Sequence, residues 1–225
     1  MNEPSRLNVT GLGRSHDHGA VRALCDVSFR ADAGETLALT GPSGCGKSTL
    51  LSLLGLRDRP DTGRVEVDGQ DLATVRRPAD FRARHIGFVF QFHHLVPTMT
   101  LQENVEAPMI ALGEPAARRR ARAAALLEAM DLGPRARFLP AHVSGGERQR
   151  AAVARALVNR PSIVLADEPT GNLDSANGER VVSLLVAHAR EARALLVMAT
   201  HNPEVAAAMD RRIALRDGRR VGMDP

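Results

Sequence analysis

Four short runs along the chain are apolar at every position or nearly so. They are "TLALT" at 36–40, "IGFVF" at 86–90, "SIVLADEP" at 162–169 and "ALLVMATH" at 194–201. Each has strand length, and three of them pass directly into polar residues. A strand with one wet face alternates, whereas a continuous run predicts a strand covered on both sides, as in a parallel sheet flanked by helices. Alternating or β-branched segments bounded by Gly and Asp, within "VRALCDVSFRADAGETLALTG" (21–41) and in "TGRVEVDG" (62–69), predict ordinary β structure through the first ninety residues. A helical pattern, "KSTLLSLLGL", lies between them. From about Leu101 to Asn159 the texture turns Ala/Leu-rich and helical, and a further helix is predicted over roughly 175–192. The chain reads as one α/β domain over residues 1–225, an ATPase-like core whose halves are separated by a helical insertion. In such sheets ligands gather at the carboxyl ends of the strands.

Composition narrows the class without deciding it. At 225 residues the chain fills one domain, and no apolar run approaches the roughly 18–20 residues of a membrane span. The start, "MNEPSRLNVTGLG", lacks the apolar centre of a secretion signal, so the expectation is a soluble, non-exported protein. Two cysteines, Cys25 and Cys45, fit a reducing compartment; Cys25 sits in an alternating strand and is expected in the core. The sequence pI is near 10.2, yet the net charge is only +4. Arginines are scattered over Ala-rich helical stretches such as "RRRARAAALLEAM" (118–130) with no interleaved aromatics. That is a solvated or headgroup-facing helix side, and no nucleic-acid partner is expected.

The chemistry is concentrated in a few segments. "GPSGCGKST", Gly41, Pro42, Ser43, Gly44, Cys45, Gly46, Lys47, Ser48 and Thr49, follows an apolar strand and opens a helix. Its glycines allow successive backbone N–H groups to cradle phosphates, Lys47 adds a cation, and the Ser48 hydroxyl is a Mg²⁺ ligand, so the segment predicts a nucleoside triphosphate site. "SIVLADEPT" delivers Asp167 and Glu168 to a strand end; Asp167 belongs to the Mg²⁺ shell, and Glu168 polarises the water that attacks the γ-phosphate. Gln91, just past "IGFVF", is placed to touch both Mg²⁺ and that water, and His201 is placed to bond the γ-phosphate and orient Glu168 or the water. A second helix start of phosphate-binding type, Ser144, Gly145, Gly146 and Glu147, has no lysine and no leading strand. One small chain then holds two phosphate-binding helix starts.

In this order the segments resemble the ATP-binding subunits of ABC transporters, over essentially the whole chain. The resemblance implies a P-loop ATPase core with an antiparallel β subdomain and a helical subdomain inserted over about 92–158, with ATP and Mg²⁺ as cofactors. It also accounts for the second helix start. In that family the SGGE segment caps the ATP held by the phosphate loop of the other subunit, so a head-to-tail homodimer is implied. Asp174, in "GNLD" (171–174), looks like the family's loop at the dimer seam. Integral membrane permease subunits are implied as partners of the inserted helices, with the chain peripheral at the cytoplasmic face of the inner membrane. "QFHHLVPTMTLQENVEAPM" is most similar to the branch of lipoprotein-releasing, macrolide-exporting and cell-division ATPases. The alternative function is therefore a non-transporting mechanical regulator of the division type. A chromosome-maintenance ATPase of the wider superfamily carries long coiled coils, and no sustained heptads occur here. One feature departs from the family. Its members stack adenine on an aromatic residue, commonly Tyr, ahead of the strand "CDVSF", but this chain has no Tyr and no Trp. His18, or His16 or Arg14 in its place, is the substitute platform, with a solvated loop making no adenine contact as the alternative.

Overall fold

The computed structural model describes residues 5–16 and 21–222. His18 lies outside the described residues. Two sheets carry the fold. A four-stranded antiparallel sheet, ordered β2-β1-β4-β5, is built from β1 (Leu7–His16), β2 (Val21–Ala31), β4 (Thr62–Val67) and β5 (Gln70–Asp71). A six-stranded sheet, ordered β10-β9-β3-β8-β7-β6, holds β3 (Thr36–Thr40), β6 (Ile86–Phe90), β7 (Ile163–Asp167), β8 (Leu195–Ala199), β9 (Arg211–Arg216) and β10 (Arg219–Val221). Within it β6, β7, β8, β3 and β9 run parallel, and β10 returns antiparallel through the Asp217–Gly218 turn, where both residues take left-handed φ.

Three of the four apolar runs, β3, β8 and β7, are inner strands and the fourth, β6, is the edge strand beside β7; the continuity of the runs has the predicted cause. On β7, Ile163 and Leu165 face the core beneath the antiparallel sheet, while Val164 and Ala166 face the helices on the other side. β8 divides in the same way, with Leu195, Val197 and Ala199 on one side and Leu196 and Met198 on the other. Helix α1 (Lys47–Leu54) packs in the first core through Leu50, Leu51, Leu53 and Leu54. Between β6 and β7 lie α3 (Leu101–Ile110), α4 (Ala116–Ala129) and α5 (Gly145–Leu157), packed together around Leu101, Val105, Met109, Leu127 and Val153. α6 (Ser175–Ala192) and the short α7 (Pro203–Ala207) flank β8.

The structure departs from the sequence reading in two places here. "PADFRARH", within the first ninety residues where "KSTLLSLLGL" is the one helical pattern expected, forms α2 (Pro78–His85). Its helicity comes from end signals rather than from periodicity: Pro in the first turn, Asp80 near the N-terminus, and Arg82, Arg84 and His85 in the last turn. Cys25 is half-buried rather than in the core, because Leu24 and Val27 occupy the inward positions of β2.

Distant segments are tied at the bottom of the large sheet. Asp210 accepts the amide of Thr36 at 2.9 Å and its hydroxyl at 2.8 Å, and pairs with Arg190 at 3.3 Å. Burial acts to raise the Asp210 pKa, but the Thr36 hydrogen bonds and Arg190 outweigh it and the pKa is lowered. A carboxylate whose folded pKa is depressed adds stability above its unfolded pKa, and that stability is lost as pH falls through the folded value. Asp210→Asn should lower stability to urea at neutral pH by about 1 kcal/mol, discounted for the exposed side chain. The deficit should shrink as pH falls below about 3.9, the ordinary aspartate value. A deficit of equal size in acid would show that the charge is not its source.

Candidate functional site

The register of the parallel strands assembles the site. Phe90 on β6, Asp167 on β7 and Ala199 on β8 stand side by side at the carboxyl ends. The residues that follow, Gln91, Glu168 and Thr200–His201, therefore emerge at one rim. Facing them is the loop between β3 and α1. Ser43, Gly44, Gly46, Lys47, Ser48, Thr49, Gln91, Asp167, Glu168 and His201 line a single cleft of about 530 Å³. Segments separated by more than a hundred positions in the sequence thus share one pocket.

The loop depends on glycine where backbones crowd. Gly46, with φ 105°, is the N-cap of α1, and a Cβ on it would lie 2.4 Å from the Ala23 carbonyl oxygen on β2. On Gly41, with φ 142°, a Cβ would lie 2.1 Å from the Leu215 carbonyl oxygen on β9. Any side chain would push the loop off both sheets. Gly41, Pro42 and Cys45 do not line the cleft. The buried ammonium of Lys47 donates to the carbonyls of Gly41 (2.8 Å) and Pro42 (3.0 Å), which holds the cation inside the curl. Cys45 is 4% exposed, so its thiol serves as loop packing.

On the opposite wall, burial pushes the Asp167 carboxyl up; a hydrogen bond from Ser48 and the charge of Lys47 pull it back, while Glu168 pushes the other way. Asp167 thus sits against the hydroxyl with which it was expected to share a metal. Glu168 occupies left-handed backbone, φ 46°, sparsely populated for a residue with a side chain. Its amide donates to the Ala199 carbonyl at 3.0 Å, and its carboxylate takes a 2.8 Å hydrogen bond from His201 Nδ1. With Nδ1–H given to Glu168, Nε2 of a neutral imidazole is an acceptor. His201 therefore orients Glu168 directly, and donates to a phosphate only as the imidazolium or after leaving Glu168. Gln91 lies against the next loop, where a Cβ on Gly171 would come within 2.9 Å of its amide nitrogen.

The SGGE segment behaves differently. Ser144, Gly145, Gly146 and Glu147 do not line the cleft. Ser144 caps α5: its hydroxyl accepts from the Glu147 amide at 3.2 Å, and the Glu147 carboxylate accepts from the Ser144 amide at 2.7 Å. That hydrogen bond lowers the Glu147 pKa, and Arg135 pairs with the carboxylate at 3.3 Å. The side chains of Ser144 and Glu147 are thus committed to the helix, and the first-turn N–H groups of Gly145 and Gly146 are the donors left for a ligand. Asp174 likewise stands outside the cleft. It caps α6, accepting from the amide (3.0 Å) and side-chain nitrogen (2.7 Å) of Asn177.

At the rim, His16 lines the cleft, as do Val21, Arg22 and Ala23 of β2. Of the substitutes for His18, Arg14 does not line the cleft, and two contacts to Asp58 (2.9 and 3.0 Å) and one to Asp61 (2.7 Å) hold its guanidinium. Arg22 was not singled out from the sequence. It stands in an ordinary alternating strand, and only the crossing of β2 over the phosphate loop brings it to the site.

Residues 24–171 match the family model described as ABC transporter. The chain belongs to the ABC transporter family. It is 45% identical over 216 residues to the lipoprotein-releasing system ATP-binding protein LolD of Shewanella oneidensis, covering 94% of each chain. To LolD of Bordetella pertussis it is 45% identical over 227 residues, covering 97% of this chain and 98% of that one. The macrolide export ATP-binding/permease protein MacB of Brucella melitensis is 49% identical over 201 residues, 88% of this chain but 31% of MacB. Among solved structures, the dimeric ATP-binding cassette MJ0796 in a post-hydrolysis state bound to ADP and Pi superposes with a TM-score of 0.89 at 36% identity over 97% of both chains. This is an ATP-hydrolysing cassette of the LolD/MacB branch, with the α/β core expected from the sequence.

Proposed function

We propose that the cleft closes over MgATP against a second copy of the chain and drives an inner-membrane permease that releases lipoproteins. The observation that carries the catalytic part is the cluster Lys47, Ser48, Asp167, Glu168 and His201 in one cleft, with SGGE outside it. The phosphate loop holds the β- and γ-phosphates, and Glu168, fixed by His201, takes a proton from the attacking water. Ser48, Asp167 and the Gln91 carbonyl form an all-oxygen donor set, the chemistry Mg²⁺ prefers, and they are the residues that would hold it. Bound there, the ion neutralises charge on the phosphate oxygens. His16 or His18 serves as the adenine platform. Because the helix start of α5 lies outside its own chain's cleft, its Gly145 and Gly146 amides serve the partner's γ-phosphate, with Asp174 at the seam.

The permease meets a groove of about 450 Å³ between β6 and the inserted helices. Its wall carries Phe88 and Phe90, stacked at 5.3 Å with Arg57 over both rings, and it is flanked by Arg82 and Arg155. Among the described residues no helix is long and apolar enough to cross a membrane, so the transport path belongs to the permease. Lipoprotein release is preferred over macrolide export because the LolD relatives match along nearly their whole length. Depletion of the chain from its host tests both points. Lipoproteins destined for the outer membrane should accumulate in the inner membrane, and the parent chain should restore sorting. A chain carrying Arg57→Glu and Arg82→Glu should hydrolyse ATP alone yet restore nothing. Normal sorting combined with new macrolide sensitivity would assign the chain to drug export instead.

A further inference from the structure

The segment Gln91–His94 leaves the rim of the cleft and enters the groove, and α5 grips it along its length. Gln149 Nε2 donates to the Phe90 carbonyl at 3.3 Å. One guanidinium, that of Arg155, spans two successive carbonyls: Nη2 donates to His93 O at 2.6 Å and Nη1 to His94 O at 2.5 Å. His93 (φ 58°) and His94 (φ 48°) are both left-handed, a conformation that consecutive residues with side chains rarely adopt unaided. It turns both carbonyls towards one donor fork. The His94 ring lies 4.7 Å from that of Phe90 in the groove. The helix that presents Gly145 and Gly146 therefore also fixes the backbone leading out of Gln91.

We infer that Arg155 is a positioning residue that locks the Gln91 segment to α5, so that the residue at the γ-phosphate and the helix start offered to the partner's nucleotide move as one body. The inference rests on the placement of Gln91 at the γ-phosphate, and it adds the device that ties this placement to α5. Arg155 touches no nucleotide itself, since it lines the groove and not the cleft.

The test uses the full chain with Arg155→Met, which keeps the length of the stem, and Arg155→Lys, which keeps the charge and a single ammonium. Hydrogen–deuterium exchange read by mass spectrometry should show lost protection in the peptide spanning residues 91–95 for Arg155→Met, partial recovery in Arg155→Lys, and no change in the phosphate-loop peptide. The kcat for ATP should fall about tenfold in Arg155→Met, equivalent to about 1.4 kcal/mol of barrier, while KM stays within about twofold of the parent. In a Gln91→Ala background the same substitution should cost less than about twofold more, because the residue it positions is gone. Unchanged exchange at 91–95, or a full tenfold loss on top of Gln91→Ala, would overturn the inference. If Gln91→Ala alone leaves kcat unchanged while Arg155→Met still frees the segment, the role of Gln91 is what fails and the brace stands. Should Arg155→Met not fold, Arg155→Lys carries the same comparison.

Discussion

Glu168→Gln should hydrolyse ATP at least a hundredfold more slowly than the parent and still bind it. A positioned general base contributes typically 10²–10⁴-fold, and the substitution removes only the capacity to take a proton. Glutamine keeps the shape and an oxygen that can accept the 2.8 Å hydrogen bond from His201, and it alters nothing in the phosphate loop. Binding and closure should therefore survive while the chemical step stalls. The expected result is a nucleotide-bound dimer, stable through size-exclusion chromatography, alongside a phosphate-release rate near the blank. Turnover close to that of the parent would take the proton-transfer role away from Glu168. His201→Ala should fall between the two, since Glu168 would retain its amide anchor on Ala199 and lose its side-chain partner.

The second large effect concerns Gly145. A Cβ there meets no atom nearer than 3.9 Å, whereas one on Gly146 would lie 2.7 Å from the Asn177 side-chain oxygen. Gly145→Asp is therefore tolerated by the fold and tests function, while a change at Gly146 tests packing. If the SGGE start serves the partner's nucleotide, the new carboxylate stands where the γ-phosphate docks, and like charges in a tight site repel strongly. Alone, the variant should bind ATP normally but neither dimerise nor hydrolyse it. Lys47→Ala should fail earlier, through loss of a charge-assisted phosphate contact worth about 1.5–3 kcal/mol. Mixing the two inactive chains discriminates between cis and trans. In a head-to-tail heterodimer one site combines both lesions, and the other combines an intact loop with an intact SGGE. Hydrolysis should return on mixing. Cysteines placed at Ser43 and Ser144 should crosslink between chains in the presence of nucleotide, and a link formed only within single chains would reject the trans assignment.

The phosphate loop was legible in the sequence, because its chemistry is local. A strand, a glycine-rich turn and a helix start suffice to aim N–H groups and Lys47 at one point, and nine consecutive residues carry the signal. The parallel strands were equally plain, since burial on both faces leaves apolar side chains at every position of "IVLA" (163–166) and "LLVMA" (195–199). Helix α2 was missed because it has no apolar stripe and is marked only by its ends. Other facts depend on pairing across the sheet. The register that sets Phe90, Asp167 and Ala199 in line is what gathers Gln91, Glu168 and His201 into one cleft; strand ends in a sequence carry no register. The 2.8 Å bond that makes His201 the orienter of Glu168 is a consequence of that register. So is the recruitment of Arg22, which the crossing of β2 over the loop brings in from an unremarkable strand. Likewise, Arg14 is held by Asp58 and Asp61, some 44 and 47 positions away. Local sequence determined the glycine-rich loop and its helix start, because neighbouring residues share one backbone geometry. Only the tertiary structure decided which distant side chains join that loop in one cleft, because long-range pairing is chosen by the packing of whole elements.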